Sequence, residues 1–457
     1  MQFVNRADEL QALEAWWDVR GARLGLIWGR RRVGKTALVE RFAAGRRAIF
    51  HTGAGRPPAD ELAVLSRAAA PIVGDSDLRD LGERPFADWS DALDALARAA
   101  RDEPLLLVLD EFPELVEVVP ELPSVLRAFW DRVRSRSQLR ILLCGSAIRT
   151  MQAAQEERAP LYGRIDLPLM VHPFRPHEAS AMLRRLAPPD RALVYGVLGG
   201  MPLYLSWWDQ GATVRANLLR LVCTPGSPLL NEGRLVLATE GAAGQLDGQV
   251  LRAIAAGRTK HNEIESAVRA DPARALERLL ELRLIERTVP VTEDPARTRR
   301  RLYRVADNFL AFWLGSVEPY RAEIERGLGR SIAGVLEKGL DDHLGRPWEA
   351  AFRDHLRRLA DAGELGDGVV AIGPFWRDQP PVEIDAVVLA GRAKRAIAVG
   401  EAKWARTIRG DRIRRALEAK AQAVPKIVDD PRFVLCARET ITEPGDALAV
   451  TAADVFP

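Results

Sequence analysis

A glycine-containing turn between a short apolar run and a helical segment constrains the fold of this chain more than any other feature. Residues 24–28 have the composition of a buried parallel strand, and the pattern Gly29-x-x-x-x-Gly34-Lys35-Thr36 follows them directly. Glycines at these positions let the backbone curl so that successive N–H groups point inward at phosphate oxygens. The sequence therefore predicts a strand, a phosphate-binding loop and a helix, in that order.

The chemistry of this loop predicts ATP with Mg²⁺ as its ligand. The N-terminus of the following helix adds partial positive charge, Lys35 reaches the β- and γ-phosphates, and Thr36 holds the metal. A plain glycine turn beside a surface lysine is the alternative, but the strand, the motif and the helix all agree with the loop. The predicted nucleotide-binding residues here are Gly29, Arg30, Arg31, Arg32, Val33, Gly34, Lys35, Thr36 and Ala37.

Two further apolar runs end in polar residues suited to ATP hydrolysis. The run at 105–109 is followed by Asp110, which suits a Mg²⁺-linked water, and by Glu111, which suits the base that orients the attacking water. The run at 139–144 leads to Gly145 and Ser146. Ser146 is either a sensor of the γ-phosphate or simply the polar end of a strand, and both interpretations stay open. Lys35 and Glu111 are the predicted catalytic residues.

These motifs resemble the archaeal-type ATPase family, in the STAND branch of AAA+-related P-loop NTPases. The similarity covers roughly the first 240 residues and includes "FVNRADELQALEAWW", "DEFPEL", "PLYGRIDLPL" and "GGMPLYLSWW". The resemblance implies that the segment ending at Arg6 packs near the nucleotide base, that Arg164 contacts phosphate, and that Pro202 brings a helical lid onto the nucleotide. A surface salt bridge is the alternative for Arg164. Ala147 departs from the family pattern, in which a second serine is common.

Composition bounds the rest of the chain. At 457 residues, and with roughly 150 residues per domain, about three domains are expected. The net charge of +3 is too mild to indicate nucleic-acid binding by itself, so any basic surface must be local. The three scattered cysteines indicate reduced thiols. No signal core and no membrane-length apolar run are visible, so we expect a soluble, cytoplasmic protein with no membrane partner.

The middle of the chain predicts a winged helix over residues 241–314. Three helical patterns between 248 and 282 precede an apolar strand, a turn and a returning strand. The predicted wing contains arginines and no acid between 296 and 305, so it suits DNA phosphates. Packing of this module on its own ATPase domain, with no DNA contact, is an equally open alternative. The wing arginines are Arg297, Arg299, Arg300, Arg301 and Arg304.

The C-terminal part places acids on elements that otherwise look buried. Glu349 lies on the same helical face as Phe352 and Leu356, which points a carboxylate toward the core. Asp385 lies in a following strand, and Glu401 and Lys403 share one face of the next strand because side chains alternate. Three inward carboxylates would repel one another unless a cation lies between them, so a divalent metal ion held by oxygen ligands is predicted.

This order of helix acid, strand acid and E-x-K resembles the PD-(D/E)xK nuclease fold. Residues 315–457 look like the uncharacterised domain that commonly follows archaeal-type ATPases. The resemblance implies that Glu349, Asp385 and Glu401 bind Mg²⁺ or Mn²⁺ and that Lys403 acts in catalysis. A surface Glu401–Lys403 pair with a stray Asp385 is the alternative. Lys420 or Gln422 is expected to support the site from a helix over 405–422, and its arginines suit a DNA backbone track: Arg406, Arg409, Arg412, Arg414 and Arg415.

The predicted fold is a multidomain α/β protein. Its parts are a P-loop ATPase core with a parallel sheet and helices on both faces (1–168), a helical lid (169–240), a winged helix (241–314) and a restriction-endonuclease-like α/β domain (315–457). The leading hypothesis is an ATP-hydrolysing switch that controls a metal-dependent DNA nuclease or DNA-binding domain. The first alternative is a STAND-type scaffold ATPase with a silent nuclease-like domain, and the second is a transcription regulator. Homo-oligomers or ATP-dependent self-assembly are further expectations.

Overall fold

The computed structural model describes residues 3–77, 80–239 and 244–457. The chain divides into two compact units, Met1–His172 and Pro173–Pro457. Each unit has its own sheet and its own buried core, and each is described by itself below.

The first unit is built on a five-stranded sheet in which every neighbouring pair is parallel. The strand order across the sheet is β2-β3-β4-β1-β5. The strands are β1 (Arg23–Trp28), β2 (Ala48–Thr52), β3 (Leu105–Asp110), β4 (Leu139–Gly145) and β5 (Leu167–Met170). The helices are α1 (Ala7–Trp17), α2 (Lys35–Ala43), α3 (Pro58–Asp77), α4 (Trp89–Ala99), α5 (Phe112–Val118), α6 (Leu122–Val133) and α7 (Ile148–Ala153).

The central strands are buried along nearly their whole length, which explains their continuous apolar runs. Leu105, Leu107 and Leu109 of β3 are fully buried, as are Ile141 and its neighbours in β4. Parallel strands that are covered by helices have continuous apolar sequences because neither face contacts water. The carboxyl ends of β1, β3 and β4 therefore share one sheet edge, and the predicted nucleotide residues follow these ends.

The fold of the first unit confirms the predicted P-loop NTPase-like α/β class. The strand β5 extends past the predicted boundary at residue 168, because Leu167 to Met170 pair in register with Gly25 to Trp28 of β1. The boundary predicted at residue 240 lies outside the described residues.

The second unit begins with helices and a small hairpin. Its helices are α8 (Pro176–Ser180), α9 (Pro188–Leu198), α10 (Pro202–Trp207), α11 (Val214–Val222), α12 (Glu232–Thr239), α13 (Gln245–Ala255), α14 (His261–Val268) and α15 (Ala273–Glu281). The strands β6 (Ile285–Thr288) and β7 (Leu302–Val305) then pair in antiparallel fashion. Three helices followed by a hairpin match the element order expected of a winged helix, while the winged-helix assignment itself stays a prediction.

A helical connector links this hairpin to the C-terminal sheet. It comprises α16 (Asn308–Phe312), a π-helical turn (Trp313–Val317), a 3-10 turn (Glu318–Tyr320), α17 (Arg321–Glu323), a second π-helical turn (Ile324–Leu328), α18 (Gly329–Lys338) and α19 (Leu340–Asp361). Phe309, Phe312 and Trp313 are buried, and the Trp313 indole N–H donates to the Leu230 carbonyl at 2.9 Å. The apolar stretch at 307–315 is therefore part of the core.

The C-terminal sheet has the order β14-β12-β10-β9-β8 and mixes both pairing types. The pairs β8–β9 and β9–β10 are antiparallel, whereas β10–β12 and β12–β14 are parallel. The elements are β8 (Val369–Asp378), β9 (Pro381–Ala390), β10 (Arg395–Lys403), β11 (Thr407–Arg409), α20 (Gly410–Ala421), β12 (Ile427–Ala437), β13 (Thr440–Thr442), β14 (Leu448–Val450) and α21 (Ala452–Val455).

The helix predicted over 405–422 begins later than expected. Residues Thr407–Arg409 form β11 and pair in parallel with Thr440–Thr442 of β13, so the helix begins at Gly410. The prediction was wrong here because a three-residue strand carries little sequence pattern, and its partner strand lies more than thirty residues downstream.

Two expectations from composition can be checked against the structure. All three cysteines are buried and free, as expected of reduced thiols. Within the described residues, no helix combines the length and the apolar character needed to cross a bilayer.

Gly200 offers a test of backbone packing in the second unit. A Cβ at this position would lie 1.9 Å from the Phe174 carbonyl oxygen, whereas a Cβ at Gly345 of α19 would meet no atom within 4 Å. We expect Gly200→Ala to destabilise the protein by at least ~2 kcal/mol. Gly345→Ala should be neutral or stabilise it by up to ~1 kcal/mol, since alanine favours helix interiors. Urea unfolding midpoints of both variants measure this, and equal midpoints would contradict it.

Candidate functional site

The loop after β1 is shaped by glycine and by internal hydrogen bonds. A Cβ at Gly29 would lie 2.3 Å from the Val171 carbonyl oxygen, and Gly34 has a left-handed backbone with φ of 94°. Lys35 is 7% exposed, and its ammonium donates to the carbonyls of Gly29 at 2.8 Å and Arg30 at 3.2 Å. The lysine thus lies against the concave side of the loop. A triphosphate fits this arrangement, because the ammonium and the start of α2 face the same cradle.

Arg6 supports the loop from the segment before α1. Its guanidinium is almost fully buried, donates to the Val33 carbonyl at 2.8 Å and pairs with Glu9 at 2.7 Å. The structure therefore places Arg6 against the loop backbone. Its contact with a nucleotide base stays a prediction.

Thr36 and Asp110 bring the loop and β3 together. The Thr36 hydroxyl donates to the Asp110 Oδ2 at 3.2 Å, and the Asp110 Oδ1 accepts the Glu111 N–H at 3.0 Å. A hydroxyl and a carboxylate are hard oxygen ligands of the kind that Mg²⁺ prefers. These two side chains would hold the Mg²⁺ of a bound nucleotide.

Glu111 lies beside Ser146 at the same sheet edge. The Ser146 hydroxyl donates to the Glu111 carboxylate at 3.0 Å, which joins the ends of β3 and β4. Glu111 has a left-handed backbone with φ of 47°, a conformation that is uncommon for a residue with a side chain. The structure thus brings the predicted base and the predicted sensor together, while the sensing of the γ-phosphate stays a prediction.

The remaining predicted nucleotide residues lie in different places. Arg164 forms two hydrogen bonds with Asp131, at 2.9 and 2.8 Å, which is the salt-bridge alternative of the sequence analysis. Arg31 and Ala37 are exposed, and Val33 is buried. Pro202 is buried at the first position of α10 in the second unit, and its role toward the nucleotide stays a prediction.

The structure places the predicted C-terminal acids on three elements, α19, β9 and β10. Asp385 on β9 is 8% exposed, and Glu401 on the neighbouring β10 is 5% exposed. Glu349 on α19 is partly buried, and the negative charge of Asp385 acts on it. We call Glu349, Asp385, Glu401 and Lys403 the acid–lysine cluster.

Cations and one backbone amide neutralise part of this cluster. Lys403 lies 2.7 Å and Lys420 of α20 lies 2.8 Å from the Glu401 carboxylate. The Ala402 N–H donates to the Asp385 Oδ2 at 2.8 Å. Glu401 and Lys403 of the E-x-K motif therefore form an ion pair, and Lys420 of α20 contacts the same carboxylate.

Arg353 is a cluster neighbour that the sequence analysis missed. It is buried, donates to the Asp385 carbonyl at 2.9 Å, and lies 3.9 Å from the Glu349 carboxylate. The spacing of four residues from Glu349 on one helix is the signal that could have identified it.

Burial and mutual repulsion perturb the protonation of the cluster. Burial, together with the Asp385 charge, raises the pKa of Glu349 to about 7. Burial and the Glu401 charge also raise the pKa of Asp385, although the Ala402 N–H opposes this. For Lys403, burial opposes the ammonium, but the hydrogen bond and charge of Glu401 outweigh it and raise the pKa. Because burial is the largest cause for both Glu349 and Asp385, these two acids hold their protons more tightly than ordinary carboxyl groups do.

The residue types suit a hard divalent cation, because carboxylate oxygens are its preferred ligands. The side-chain arrangement is that of an ion-pair network. Among residues 3–77, 80–239 and 244–457, no three histidine, cysteine or acidic side chains are grouped so that they could hold a metal ion.

The two predicted DNA-contacting sets differ in how their arginines are paired. Along the start of α20, Arg406 pairs with Glu439, Arg409 and Arg415 pair with Asp411, and Arg414 pairs with Glu418. Only Arg412 of that set has no partner among the described residues. This track is therefore largely neutralised, which weakens it as a phosphate surface.

In the loop between β6 and β7 the arginines are more available. Arg297 and Arg300 lie near Asp294 and Glu293, at 3.5 and 2.7 Å. Arg299 is exposed and has no ion-pair or hydrogen-bond partner within the described part of the chain. DNA binding by either set stays a prediction.

Two family models match separate parts of the chain. Residues 3–207 match an ATPase domain found predominantly in Archaea. Residues 313–416 match a family of archaeal and bacterial proteins of unknown function. The N-terminal part is therefore similar to archaeal ATPase domains, and its parallel sheet and phosphate loop give it a P-loop NTPase-like α/β fold.

Similar individual proteins are archaeal. An uncharacterized protein of Methanocaldococcus jannaschii is 26% identical over 411 residues, covering 88% of this chain and 87% of that protein. An uncharacterized ATP-binding protein of the same organism is 45% identical over 47 residues, which is 10% of this chain and 80% of that protein. A Walker-type ATPase of Pyrococcus abyssi matches in structure with a TM-score of 0.53 and 20% identity, over 68% of this chain and 96% of that chain. At that identity the match shows the fold alone.

Lys35 is the residue whose loss should most reduce nucleotide binding and hydrolysis. We expect Lys35→Ala to lower the ATPase rate by at least ~100-fold, since it removes a preorganised cation from the phosphate cradle. Arg41→Ala, an exposed change on the same helix, is the matched control and should keep wild-type rates. Phosphate release and calorimetric ATP titration measure this. Wild-type turnover by Lys35→Ala would contradict the assignment.

Glu349 predicts an unusual dependence of stability on pH. Its folded-state pKa of about 7 exceeds the ordinary value of 4.5, so the folded state binds this proton more tightly. Folding stability therefore falls as pH rises through this window. Glu349→Gln removes this titration. The free energy of unfolding of Glu349→Gln minus that of wild type should therefore be larger at pH 8 than at pH 5, by roughly 2 kcal/mol.

Glu364→Gln, at an exposed carboxylate in the same unit, is the control for the Glu349 experiment. Its unfolding midpoint should follow that of wild type at both pH values. A Glu349→Gln curve parallel to wild type would contradict the raised pKa.

Proposed function

We propose that this chain is an ATP-hydrolysing switch whose nucleotide state controls a nuclease-like C-terminal domain acting on DNA. The observation that carries the proposal is the inward acid–lysine cluster, present in the same chain as a complete phosphate loop with Asp110 and Glu111. Each set is ordered by its own hydrogen bonds.

The nucleotide half of the proposal has clear roles for its residues. Lys35 leaves its carbonyl partners for the phosphates, Thr36 and Asp110 hold Mg²⁺, and Glu111 orients the attacking water. Ser146 holds the Glu111 carboxylate before the nucleotide arrives. Replacement of the Ser146 contact by a contact with water or phosphate is the local event that we assign to activation.

Within the second unit, the β6–β7 hairpin offers a route of control. The positive charge of Arg304, on β7, lowers the pKa of Glu349, although burial dominates. Arg304 and Arg353 likewise oppose the raised pKa of Glu286 on β6, which burial again dominates. A shift of this hairpin therefore changes the electrostatics of the acid–lysine cluster directly. We infer that the predicted winged helix transmits the nucleotide state in this way.

The chemistry that we assign to the cluster is phosphodiester hydrolysis. This assignment requires Glu349, Asp385 and Glu401 to draw together around a divalent cation, since they are not grouped as metal ligands among the described residues. That cation would polarise the phosphate and activate water. Lys403 then stabilises negative charge on the reacting phosphate, and Lys420 keeps the Glu401 carboxylate in place.

A silent DNA-binding or scaffold domain is the second candidate. The contact of Glu401 with both Lys403 and Lys420 favours it, because a carboxylate that is already neutralised twice is a poorer metal ligand. This candidate keeps the ATP switch and removes the cleavage chemistry.

A cleavage assay separates these candidates. Linear and plasmid DNA are incubated with Mg²⁺ or Mn²⁺, with and without ATP, using wild type, Lys35→Ala and Asp385→Ala. The proposal predicts cleavage by wild type, loss of at least ~100-fold in Asp385→Ala, and loss of the ATP dependence in Lys35→Ala. Asp430→Ala, an exposed acid of the same sheet, is the control that should cleave normally.

Metal binding provides a readout that is independent of activity. We expect Mn²⁺ to raise the melting temperature of wild type and of Asp430→Ala, but not of Asp385→Ala. Cleavage that is identical in wild type and Asp385→Ala would refute the nuclease assignment. Absence of both cleavage and Mn²⁺ stabilisation in wild type would favour the silent domain.

A further inference from the structure

A cationic cavity lies in the second unit beside the β6–β7 loop. Its volume is about 730 Å³, and it is bounded by the start of α14, the β6–β7 loop, the start of β7 and the end of β8. We call it the wing groove. Of the charged residues that line it, one is an acid, Asp378, and the cations are Lys260, Arg297, Arg299, Arg300 and Arg301.

The cations of the wing groove are available to a ligand to different degrees. The side chain of Arg297 is 89% exposed, and Arg299 lacks any partner among the described residues. Arg300 is 2.7 Å from Glu293, and Lys260 is 3.1 Å from Asp378 at the rim. Arg299 can therefore bind phosphate without breaking an internal ion pair, and Arg297 can do so by giving up its 3.5 Å ion pair with Asp294.

An aromatic side chain forms the opposite wall. Trp376 lines the groove and is partly exposed, so part of its ring is accessible. Arginines facing an accessible indole are the combination that binds single strands, because phosphates pair with cations while an unpaired base stacks on the ring.

The position of Trp376 connects the groove to the acid–lysine cluster. Trp376 of β8 pairs with Glu383 of β9, and cross-strand partners share one face of a sheet. Asp385 lies two residues further along β9, about 7 Å along the strand. Trp376 therefore lies on the face of the sheet that also carries Asp385.

We propose that the wing groove binds a single-stranded DNA segment, with its phosphates on Arg297 and Arg299 and one base stacked on Trp376. That this strand is also the substrate presented to Asp385 rests on the proposed function. Binding of single-stranded DNA in the wing groove does not depend on the nuclease assignment.

The cavity favours a single strand over a duplex for two reasons. Its volume falls within the roughly 300–1,000 Å³ typical of small-ligand sites, which suits one or two nucleotides but not a base-paired helix. In a duplex, both faces of an internal base are already stacked, so the ring of Trp376 would have no partner.

Fluorescence anisotropy with the full-length protein tests the groove in EDTA and without ATP, so that neither hydrolysis nor cleavage contributes. The probes are a labelled oligothymidine and a blunt duplex of equal length. The proposal predicts tighter binding of the single strand. Trp376→Leu should weaken it about tenfold, while Trp376→Phe, which keeps an aromatic face, should bind nearly as wild type.

The salt dependence tests the phosphate contacts. Arg299→Gln should lower the slope of log affinity against log salt by about 0.7, the value for one phosphate of a single strand. Arg330→Gln, an exposed arginine outside the groove, should leave the slope unchanged. Melting temperatures of all variants confirm that they are folded.

The outcomes separate this inference from the proposed function. Single-strand binding in the wing groove is refuted if the duplex binds equally well or more tightly. It is also refuted if Trp376→Leu keeps wild-type affinity and Arg299→Gln leaves the salt slope unchanged. Neither result affects the nuclease assignment. Normal groove binding with cleavage that Asp385→Ala does not change overturns the nuclease assignment and leaves the groove.

Discussion

The hydrogen bond between Thr36 and Asp110 is the contact on which the nucleotide site depends. Thr36 lies in the first turn of α2, which follows β1, and Asp110 ends β3. The strands β1 and β3 are separated in the sheet by β4. Because all of these strands are parallel and buried, their carboxyl ends are held at one edge with little freedom to move. The strand ends bring the loop, the metal-binding oxygens and the Glu111–Ser146 pair to one edge, and the Thr36–Asp110 hydrogen bond joins the loop to β3. This arrangement suits the binding of ATP with Mg²⁺.

The C-terminal acid–lysine cluster depends on charge interactions rather than on the alignment of strand ends. Its acids are placed in a buried environment where they repel one another, and Lys403, Lys420 and Arg353 compensate only part of the charge. Such a site is sensitive to small changes in nearby charges, because each charge acts through protein of low dielectric constant. Arg304 and Glu286 extend this network into the β6–β7 hairpin. A movement of the hairpin can therefore change the electrostatic environment of the acids without a direct contact with them.

Much of this could be predicted from the sequence, for identifiable reasons. The phosphate loop has fixed spacing and a strand-and-helix context, and Glu349, Asp385, Glu401 and Lys403 were assigned to one place by helical and strand periodicity. The short strands β2, β5 and β11 were not singled out, because three to five residues carry little pattern and their pairing is set by tertiary partners. Arg164 shows another limit, since its contact with Asp131 depends on the packing of distant segments. The wing groove was also invisible, because Trp376 and the arginines are joined only by folding.

The central claim is that nucleotide binding and DNA binding in this chain are energetically coupled. Coupling is reciprocal, so DNA must change the affinity for the nucleotide by the same factor as the nucleotide changes the affinity for DNA. The most direct measurement is a calorimetric titration of Glu111→Gln protein, which should retain ATP, with Mg²⁺-ATP in the presence and absence of saturating single-stranded DNA. We predict dissociation constants that differ by at least ~5-fold. Identical constants, with both ligands shown to bind, would contradict the account.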